Sequence, residues 1–369
     1  MVDARREAWR GDPLRHILLK SFKHKGHEGH KGFYLVSFVS FVFILSACVQ
    51  SSDCFREDVF CAGLVTDVLG IEDHGMNQDT WAGLQDAKAS GVVDRVEYIE
   101  SNDTRDYEKN IAYFAEHGYD VIVTTGVGMS DETLRAADLK PEAVPVFVGI
   151  NQPHEEVRPN IIPVTFAEDQ MGFFAGVLAV RISKTQVVGG VCETSGIDSM
   201  WRYCEGFRAG AAFANQQTGQ NVNVLVTYRE NEDRDKLFID EAWGYAAAQG
   251  LIQRGADVIF ASGGATGQGA LRAASDAQVY AIGTERDQGA ALAESGSGVV
   301  TSILGSVSFE VQNVLRLLRG GNIYQTRLSQ IKYVPLNQKF PENLTQEMDT
   351  LLLALWIGEI KTGVTFEKP

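Results

Sequence analysis

The sequence lacks the signatures of the common enzyme classes. No G-x-S-x-G, H-E-x-x-H or Walker-type lysine motif occurs, and no C-x-x-C pair with zinc-ligand spacing is present. Four of the seven histidines fall within the first 30 residues, which leaves only His74, His117 and His154 as candidate bases. His117 ends a helical stretch, where a cation complements the helix dipole, so we expect a structural role for it. The pattern favours binding over catalysis.

Positive charge is also scarce beyond the N-terminal region. Residues 1–47 carry eight Lys/Arg and four Asp/Glu, a net of +4, so with −15 for the whole chain the rest carries −19. A body this acidic repels phosphate backbones and anionic headgroups. We therefore expect no nucleic-acid partner.

The N-terminal region reads as a targeting segment. After the basic stretch, Phe33–Ala47 contains no charge, yet it is shorter than the roughly 20 residues of a membrane-spanning helix. It ends in Leu45-Ser-Ala-Cys48, which resembles the lipobox of bacterial lipoproteins, in which the cysteine is acylated. We predict a signal and leader over 1–47, a lipid on Cys48 and a tether over 48–57. The alternative is a buried strand or core helix that happens to precede a cysteine.

Two minor features of composition remain open. His24, His27 and His30 are spaced like metal ligands, but they lie in the predicted leader, and we expect no metal site. Cys54, Cys61, Cys192 and Cys204 permit disulfides outside the cytoplasm, in three possible pairings between which the sequence does not choose.

From Cys61 onward, short β-branched runs alternate with helical patterns. Runs of about five residues that are apolar on both faces are typical of parallel strands covered by helices. They are 62–66, 120–124, 144–148, 186–190, 222–226, 257–261, 279–282 and 299–303. Nearly 300 residues of this alternation predict an α/β protein with two doubly wound, Rossmann-like lobes.

Ligands of open parallel sheets bind at the carboxyl ends of the strands, so the residues there are the candidates for a site. Gly, Asp, Asn and Glu recur at these ends: Asp67, Asp73, Asn77, Gly126, Gly128, Asn151, Gly263, Glu285 and Asp287. Singly each fits an ordinary turn; together they predict a cleft between the lobes. The glycine-rich run 263–269 does not have dinucleotide-site spacing, which favours close backbone packing at the cleft and no cofactor.

The order of these segments resembles one family over the whole body. Leu64-Val-Thr-Asp-Val-Leu-Gly-Ile-Glu-Asp-His-Gly-Met-Asn77 is similar to the opening motif of the basic membrane protein family of substrate-binding lipoproteins. The likeness continues through Gly172-Phe-Phe-Ala-Gly176, Gly206-Phe-Arg-Ala-Gly210 and Ile282-Gly-Thr-Glu-Arg-Asp-Gln288. The resemblance implies a type I periplasmic-binding fold and, in the purine nucleoside receptor branch, service to an ABC importer.

The resemblance also implies roles for single residues. Asp67 and Asn77 match positions lining the first lobe, and Gly126 and Gly128 match a loop that offers backbone amides. Asp287 matches an acidic residue expected to accept hydrogen bonds from ribose hydroxyls. Phe238 lies near the ligand or caps a helix, and the sequence leaves both open.

Three positions depart from the family pattern. Met76 and Met129 stand where aromatic residues are usual, and Gly305 replaces a lysine. Methionine contributes about 0.3–1.5 kcal/mol against a ring, compared with roughly 1–3 kcal/mol for an aromatic stacked on a base. A base is therefore less strongly specified here. Trp201 is a possible substitute, against the alternative of a core or surface tryptophan.

These observations combine into one expected organisation. Lobe 1 covers 58–165 and 303–332, lobe 2 covers 166–302 and 333–369, and the chain crosses near Thr165, Ile303 and Val334 to form a hinge. We expect a monomer, lipid-anchored on the extracytoplasmic face of the cell membrane, that binds a purine nucleoside or related solute and docks on an ABC permease. The competing functions are a surface receptor or sensor of the same fold and a secreted α/β enzyme.

Overall fold

The computed structural model describes residues 50–140, 145–152, 158–230, 232–322, 327–336 and 339–369. Over these residues strands and helices alternate along the chain, and the strands form two six-stranded sheets. Both sheets belong to one unit, Cys48–Pro369. The predicted α/β class with two doubly wound lobes is confirmed.

The first sheet has the strand order β11-β5-β4-β3-β1-β2, and all its pairings are parallel. Its strands are β1 (Cys61–Val65), β2 (Arg95–Ile99), β3 (Val121–Thr125), β4 (Val146–Ile150), β5 (Ile161–Thr165) and β11 (Arg327–Leu328). The helices between its first four strands are α1 (Met76–Ala89), α2 (Tyr107–Glu116) and α3 (Ser130–Leu139). β1, β3, β4 and β5 are buried along their whole length, as expected for strands covered on both faces.

The second sheet has the order β12-β10-β9-β8-β6-β7, parallel except for the pairing of β10 with β12. Its strands are β6 (Val187–Cys192), β7 (Asn223–Tyr228), β8 (Val258–Ala261), β9 (Tyr280–Thr284), β10 (Val299–Leu304) and β12 (Lys332–Tyr333). The remaining helices are α4 (Glu168–Ile182), α5 (Asp198–Thr218), α6 (Glu241–Gln253), α7 (Gly264–Asp276), α8 (Gln288–Leu292), α9 (Val307–Arg319) and α10 (Glu342–Trp356).

Two longer strands were not predicted from the apolar runs. β2 reads Arg-Val-Glu-Tyr-Ile, is only half-buried and lies at the edge of the first sheet, so it lacks the continuous apolar pattern. β5 contains Pro163, which has no N–H to donate and argues against a strand when only the sequence is considered. In the sheet Pro163 lies opposite Gly149 of β4, and β11 pairs with the next residues, Val164 and Thr165.

Glycines explain how α4 and α5 pack in the second lobe. A Cβ added at Gly172 or Gly176 would collide with the backbone carbonyls of Tyr203 and Phe207 on α5. Gly206 and Gly210 meet the α4 backbone in the same way. The two G-x-x-x-G segments therefore let the helices approach until their backbones touch, and any side chain at these positions would separate them.

The chain passes between the sheets three times: after β5, after β10 and between β11 and β12. Ile303 and Leu304 pair with Tyr333 and Lys332 in the second sheet. This differs from the expected ranges, which assign 303–332 to the first lobe, because the hydrogen bonds of β10 continue to Leu304. After this strand α9 packs on α1, where Gly83 leaves room for the Ser308 backbone.

Each lobe contains one disulfide. Cys54 bonds to Cys61 at the start of β1, and Cys192 at the end of β6 bonds to Cys204 in α5. Residues 51–55, expected to belong to a tether, instead form a short 3-10 helix that the first bond fixes to the lobe. Cys48 and the whole of 1–47 lie outside the described residues.

Candidate functional site

The carboxyl ends of both sheets face a common cavity of about 630 Å³. This is within the 300–1,000 Å³ usual for small-molecule sites. The first lobe contributes residues that follow β1, β2, β3 and β4, and the second lobe contributes residues that follow β6, β7, β8 and β9. They are Asp67–Leu69, Asp73, Gly75–Asn77, Asn102–Thr104, Tyr107, Thr125, Gly126, Gly128 and Asn151, and then Ile197, Ser199, Met200, Asp235, Leu237–Ile239, Gly264 and Glu285.

A hydrogen-bonded trio organises the first-lobe side of the cavity. Asn77 is buried, and its Nδ2 donates to Oδ1 of Asp67 at 2.7 Å. The Thr125 hydroxyl donates to Oδ1 of Asn77, and the Leu69 amide donates to Oδ1 of Asp67 at 3.0 Å. Within the described residues Oδ2 of Asp67 accepts no hydrogen bond. Asp67 therefore has one oxygen fixed and one free to accept from a ligand.

The Asp67 carboxylate leaves no room for a side chain at position 126. Gly126 has a φ of +89°, and a Cβ there would lie 2.8 Å from Oδ2 of Asp67. A side chain would thus be strained and would also occupy the space in front of the free carboxylate oxygen. Glycine keeps that oxygen open to the cavity.

Asp73 fixes the start of α1, and with it the position of Asn77. Its carboxylate accepts from the amides of Gly75 (2.9 Å), Asn77 (3.0 Å) and Gln78 (3.0 Å). These are amides of the N-cap residue and the first turn of α1, which have no partner within the helix. The cap formed by Asp73 therefore positions Asn77, which is part of the site.

Acidic groups that Arg286 offsets only in part gather where α1 meets the end of β9. Burial, with the charges of Asp73 and Asp79 nearby, raises the pKa of Glu285 to about 8, while Arg286 opposes the shift. Burial likewise raises the pKa of Asp67 to about 6. At neutral pH the Glu285 carboxyl is thus mostly protonated and can donate a hydrogen bond, whereas Asp67 is mostly ionised and accepts.

The second-lobe side is mainly apolar. Ile197, Met200, Leu237 and Phe238 line it, opposite Met76 and Tyr107 of the first lobe. Phe238 has a φ of +65°, uncommon for an aromatic residue, and its amide donates to Oε2 of Glu193 at 3.0 Å.

A buried ion-pair network holds Glu193 and the loop that carries Phe238. Arg229 is 2% exposed, and its guanidinium lies 3.4 Å from Glu193 and 3.1 Å from Asp240. It also donates to the Asp233 carbonyl at 2.7 Å, and Asp240 accepts from the Trp243 amide at the start of α6. The network therefore determines where the 233–240 loop lies.

Seven of the nine ligand-site residues predicted from the sequence line this cavity: Asp67, Met76, Asn77, Gly126, Gly128, Phe238 and Glu285. Gly263 does not, because it packs against Glu193, and Gly264 lines the cavity beside it. Asp287 is exposed and caps α8 by accepting from the Ala290 amide at 3.0 Å. In the family-like segment 282–288, the carboxylate that faces the cavity is therefore Glu285.

Several lining residues were missed by the strand-end reasoning. Asn102, Thr104 and Tyr107 follow β2, which the sequence pattern did not reveal. Ile197, Ser199 and Met200 lie at the start of α5, after a run of polar residues that gave no signal of its own. Recognising Arg95–Ile99 as a polar edge strand would have pointed to the first group.

The three departures from the family pattern have different surroundings. Met76 lines the cavity, whereas Met129 is buried in the first-lobe core. Gly305 packs against the Phe166 ring, 2.8 Å from a hypothetical Cβ, in the link after β10. Trp201 is half-buried and its carbonyl accepts from the Tyr228 hydroxyl at 3.4 Å, outside the lining.

Of the histidines, His117 stacks on Tyr113 and contacts its carbonyl, as a structural residue would. His74 is exposed, and His154 lies outside the described residues. In the described part of the chain no cluster of His, Cys, Asp and Glu could hold a metal ion. No helix there is long and apolar enough to cross a membrane.

The chain is similar to proteins of known class. A family model for Bmp, ABC transporter substrate-binding protein PnrA-like, matches residues 61–328. The CD4+ T-cell-stimulating antigen of Listeria monocytogenes is 28% identical over 304 residues, 76% of this chain and 81% of the relative. The ABC transporter nucleoside-binding protein BmpA of Lactococcus lactis is 28% identical over 242 residues, 62% and 64% of the two chains.

Another relative and two solved structures are also similar to this chain. An uncharacterized lipoprotein of Pyrococcus horikoshii is 27% identical over 216 residues, 58% of this chain and 51% of its own. A solute-binding protein of an ABC transporter system from Aeropyrum pernix has a TM-score of 0.69 at 19% identity, covering 82% of this chain and 92% of that one. One from Conexibacter woesei has a TM-score of 0.67 at 23% identity, covering 84% and 100%.

The structural likenesses confirm the type I periplasmic-binding fold. The matching family model describes a family of solute-binding proteins, which is not an enzyme family. The family model covers most of the two-lobed body, including both sides of the cavity. The chain therefore belongs to the Bmp family of PnrA-like ABC transporter substrate-binding proteins.

Proposed function

We propose that the cavity binds a purine nucleoside or a close relative, and that the protein delivers it to an ABC permease from the outer face of the membrane. The observation that carries this proposal is that one cavity is lined both by polar Asp67, Asn77 and Glu285 and by apolar Met200 and Phe238. A nucleoside has hydrogen-bonding edges and hydroxyls together with a flat apolar base. Such a solute matches both sides.

The charge of the lining supports a nucleoside rather than a nucleotide. Among the side chains that the structure describes, the lining contains no lysine, arginine or histidine and five acidic residues, of which Glu285 is mostly protonated: Asp67, Asp73, Asp103, Asp235 and Glu285. A phosphate group would lie beside several acidic side chains, which repel it. Hydroxyl and amino donors, in contrast, find acceptors on both lobes, such as Asp67 on the first and Asp235 on the second.

The links between the lobes support closure around the solute. Lobe 1 covers 58–165 and 303–332, and lobe 2 covers 166–302 and 333–369, except that all of β10 and β12 belongs to lobe 2. Three crossings of the chain join the lobes and form the proposed hinge. Arg286 of the second lobe donates to the Gln78 side chain of α1, so the lobes also touch directly beside the cavity. A solute that bonds to both lobes favours the closed state.

The anchor is proposed from the sequence around Cys48 and from the relative named as a lipoprotein. The 3-10 helix over 51–55 leaves a short stretch between Cys48 and the first lobe, which would hold the monomeric protein near the membrane. Mass spectrometry of the membrane-extracted protein should find diacylglycerol on Cys48. Recovery of unmodified protein from the soluble fraction would contradict the anchor.

The ligand is tested by calorimetry on a soluble form that begins at Val49. Adenosine, guanosine and inosine are titrated beside ribose, free bases and nucleoside monophosphates. We expect saturable one-to-one binding of at least one nucleoside and none of its monophosphate. A response to an unrelated metabolite with none to any nucleoside would refute the ligand but not the family.

A further inference from the structure

The segment 193–200 that lines the second-lobe side of the cavity is restrained from several directions. It runs from the end of β6 into α5 and supplies Ile197, Ser199 and Met200 to the lining. The Cys192–Cys204 disulfide closes this segment into a loop, and both cysteines are fully buried. The covalent bond thus closes the loop that supplies three cavity residues.

A second restraint comes from the loop after β7. The Glu230 carboxylate accepts from the Ser195 amide at 2.9 Å and from the Thr194 hydroxyl at 3.4 Å. Glu230 is itself exposed and does not line the cavity. Its bonds hold the turn from outside.

A third restraint comes from residues 366–368. The Lys368 ammonium donates to the Ser195 hydroxyl at 2.5 Å, and the Lys368 amide donates to Oδ1 of Asp198 at 3.1 Å. Arg202, one turn into α5, donates to the Phe366 carbonyl at 2.6 Å and stacks on its ring at 4.3 Å. This C-terminal stretch therefore lies across the outside of the same turn.

The other disulfide provides a natural comparison. Cys54–Cys61 encloses residues 55–60, none of which lines the cavity. Both bonds close short loops, so both should stabilise the fold by similar amounts on chain-entropy grounds. They differ in whether the enclosed residues contact a ligand.

We infer that the Cys192–Cys204 bond, with Glu230 and the 366–368 stretch, positions segment 193–200 for ligand binding and so determines affinity. Without the bond, Ile197, Ser199 and Met200 would have to be ordered when the ligand binds, which weakens binding. This inference rests on the proposed function. It assigns these groups a positioning role, since none of them lines the cavity.

The test compares two double variants of the soluble form, Cys192→Ala/Cys204→Ala and Cys54→Ala/Cys61→Ala. Titration with guanosine, adenosine and inosine should show about a tenfold higher Kd for the first variant and less than about a twofold change for the second. Hydrogen exchange of the ligand-free proteins should show faster exchange at 193–200 in the first variant only. Equal affinities, or equal exchange at 193–200, would overturn the inference.

Two provisions keep the test decisive. If the first variant does not fold, Glu230→Ala replaces it, and Glu232→Ala, at an exposed residue of the same loop, is its control. We expect Glu230→Ala to raise Kd about threefold and Glu232→Ala to leave it unchanged. Equal Kd values for the two variants would overturn the inference. If the wild-type protein binds no nucleoside, the proposed function fails, and the exchange comparison still decides whether the bond positions segment 193–200: equal exchange in both variants overturns that part of the inference.

Discussion

The two lobes hold their sides of the cleft by different means. In the first lobe, the residues that face the ligand bond to one another, as Asp67, Asn77 and Thr125 do. In the second lobe, the facing residues are mostly apolar, and the polar groups that fix them lie behind, as Glu193 and Arg229 lie behind Phe238. In the first lobe the same side chains therefore face the ligand and hold the site in place, whereas in the second lobe different side chains do these two things. Substitutions in the two lobes should therefore fail in different ways.

The largest expected effect is on the support of the second lobe. Arg229→Met leaves Glu193 and Asp240 without their cation in a buried site, which should lower the free energy of unfolding by about 3–5 kcal/mol. Urea denaturation measures it. Arg319→Met, at the partly exposed pair with Asp94, is the control and should cost less than about 1 kcal/mol. Similar losses in both variants would contradict a supporting role for the buried network.

Next comes recognition in the first lobe. Asp67→Asn keeps the acceptor that Asn77 uses but removes the charge, so Kd should rise about 10–100-fold, equivalent to the 1.5–3 kcal/mol of a charged hydrogen bond. Stability should be unchanged or higher, because the buried carboxylate is costly. Calorimetry measures the Kd, and thermal unfolding measures the stability. Asp287→Asn, exposed and outside the lining, should leave Kd unaltered; a loss of binding there instead would place the ligand elsewhere.

A smaller effect concerns Glu285, which comes from the second lobe but lies beside α1 of the first. Its pKa is raised from 4.5 to about 8. The unfolded chain therefore loses this proton near pH 4.5 while the folded protein keeps it to about pH 8, and stability falls as pH rises between these values. Glu285→Gln removes this dependence and should raise Tm by several °C at pH 8.5 relative to the wild type.

At pH 4 the same variant should match the wild type, because the carboxyl is protonated in both folded and unfolded chains. Glu294→Gln, in the exposed turn after α8, controls for charge removal. A constant difference in Tm across the pH range would show that Glu285 does not titrate as described.

The smallest effect tests the departure at Met76. Met76→Phe supplies an aromatic face, and the difference between stacking on a base (about 1–3 kcal/mol) and a methionine contact (about 0.3–1.5 kcal/mol) predicts a Kd several-fold lower for nucleosides. Affinity for ribose should not change. Leu353→Phe, on an exposed part of α10, is the control. Weaker nucleoside binding by Met76→Phe would mean that no base lies against this residue.

Much of the fold could be predicted from the sequence because buried parallel strands have a simple pattern. Runs such as Val121–Thr125 and Val258–Ala261 are apolar on both faces, which leaves few alternatives. Arg95–Ile99 was missed because an edge strand needs no such pattern. The disulfide pairing could not be chosen either, since it depends on which strand ends and helices meet in space.

For the site, position relative to the strand ends was informative but incomplete. Asp67 and Asn77 follow β1 by that rule, whereas Glu285 and Asp287 are two residues apart and only one faces the cavity. The turn after β9 decides between them: Glu285 adopts a φ of +71° and lines the cavity, and Asp287 caps α8. The residues behind the lining, such as Arg229, have no signal in the sequence because their role depends on contacts between distant loops.

The most direct test of a nucleoside held between the lobes is native mass spectrometry of the protein isolated from its own membranes. We predict one bound molecule with the mass of a purine nucleoside in the wild type and an empty protein for Asp67→Asn. A retained solute of another class, or equal occupancy in both proteins, would contradict the proposal.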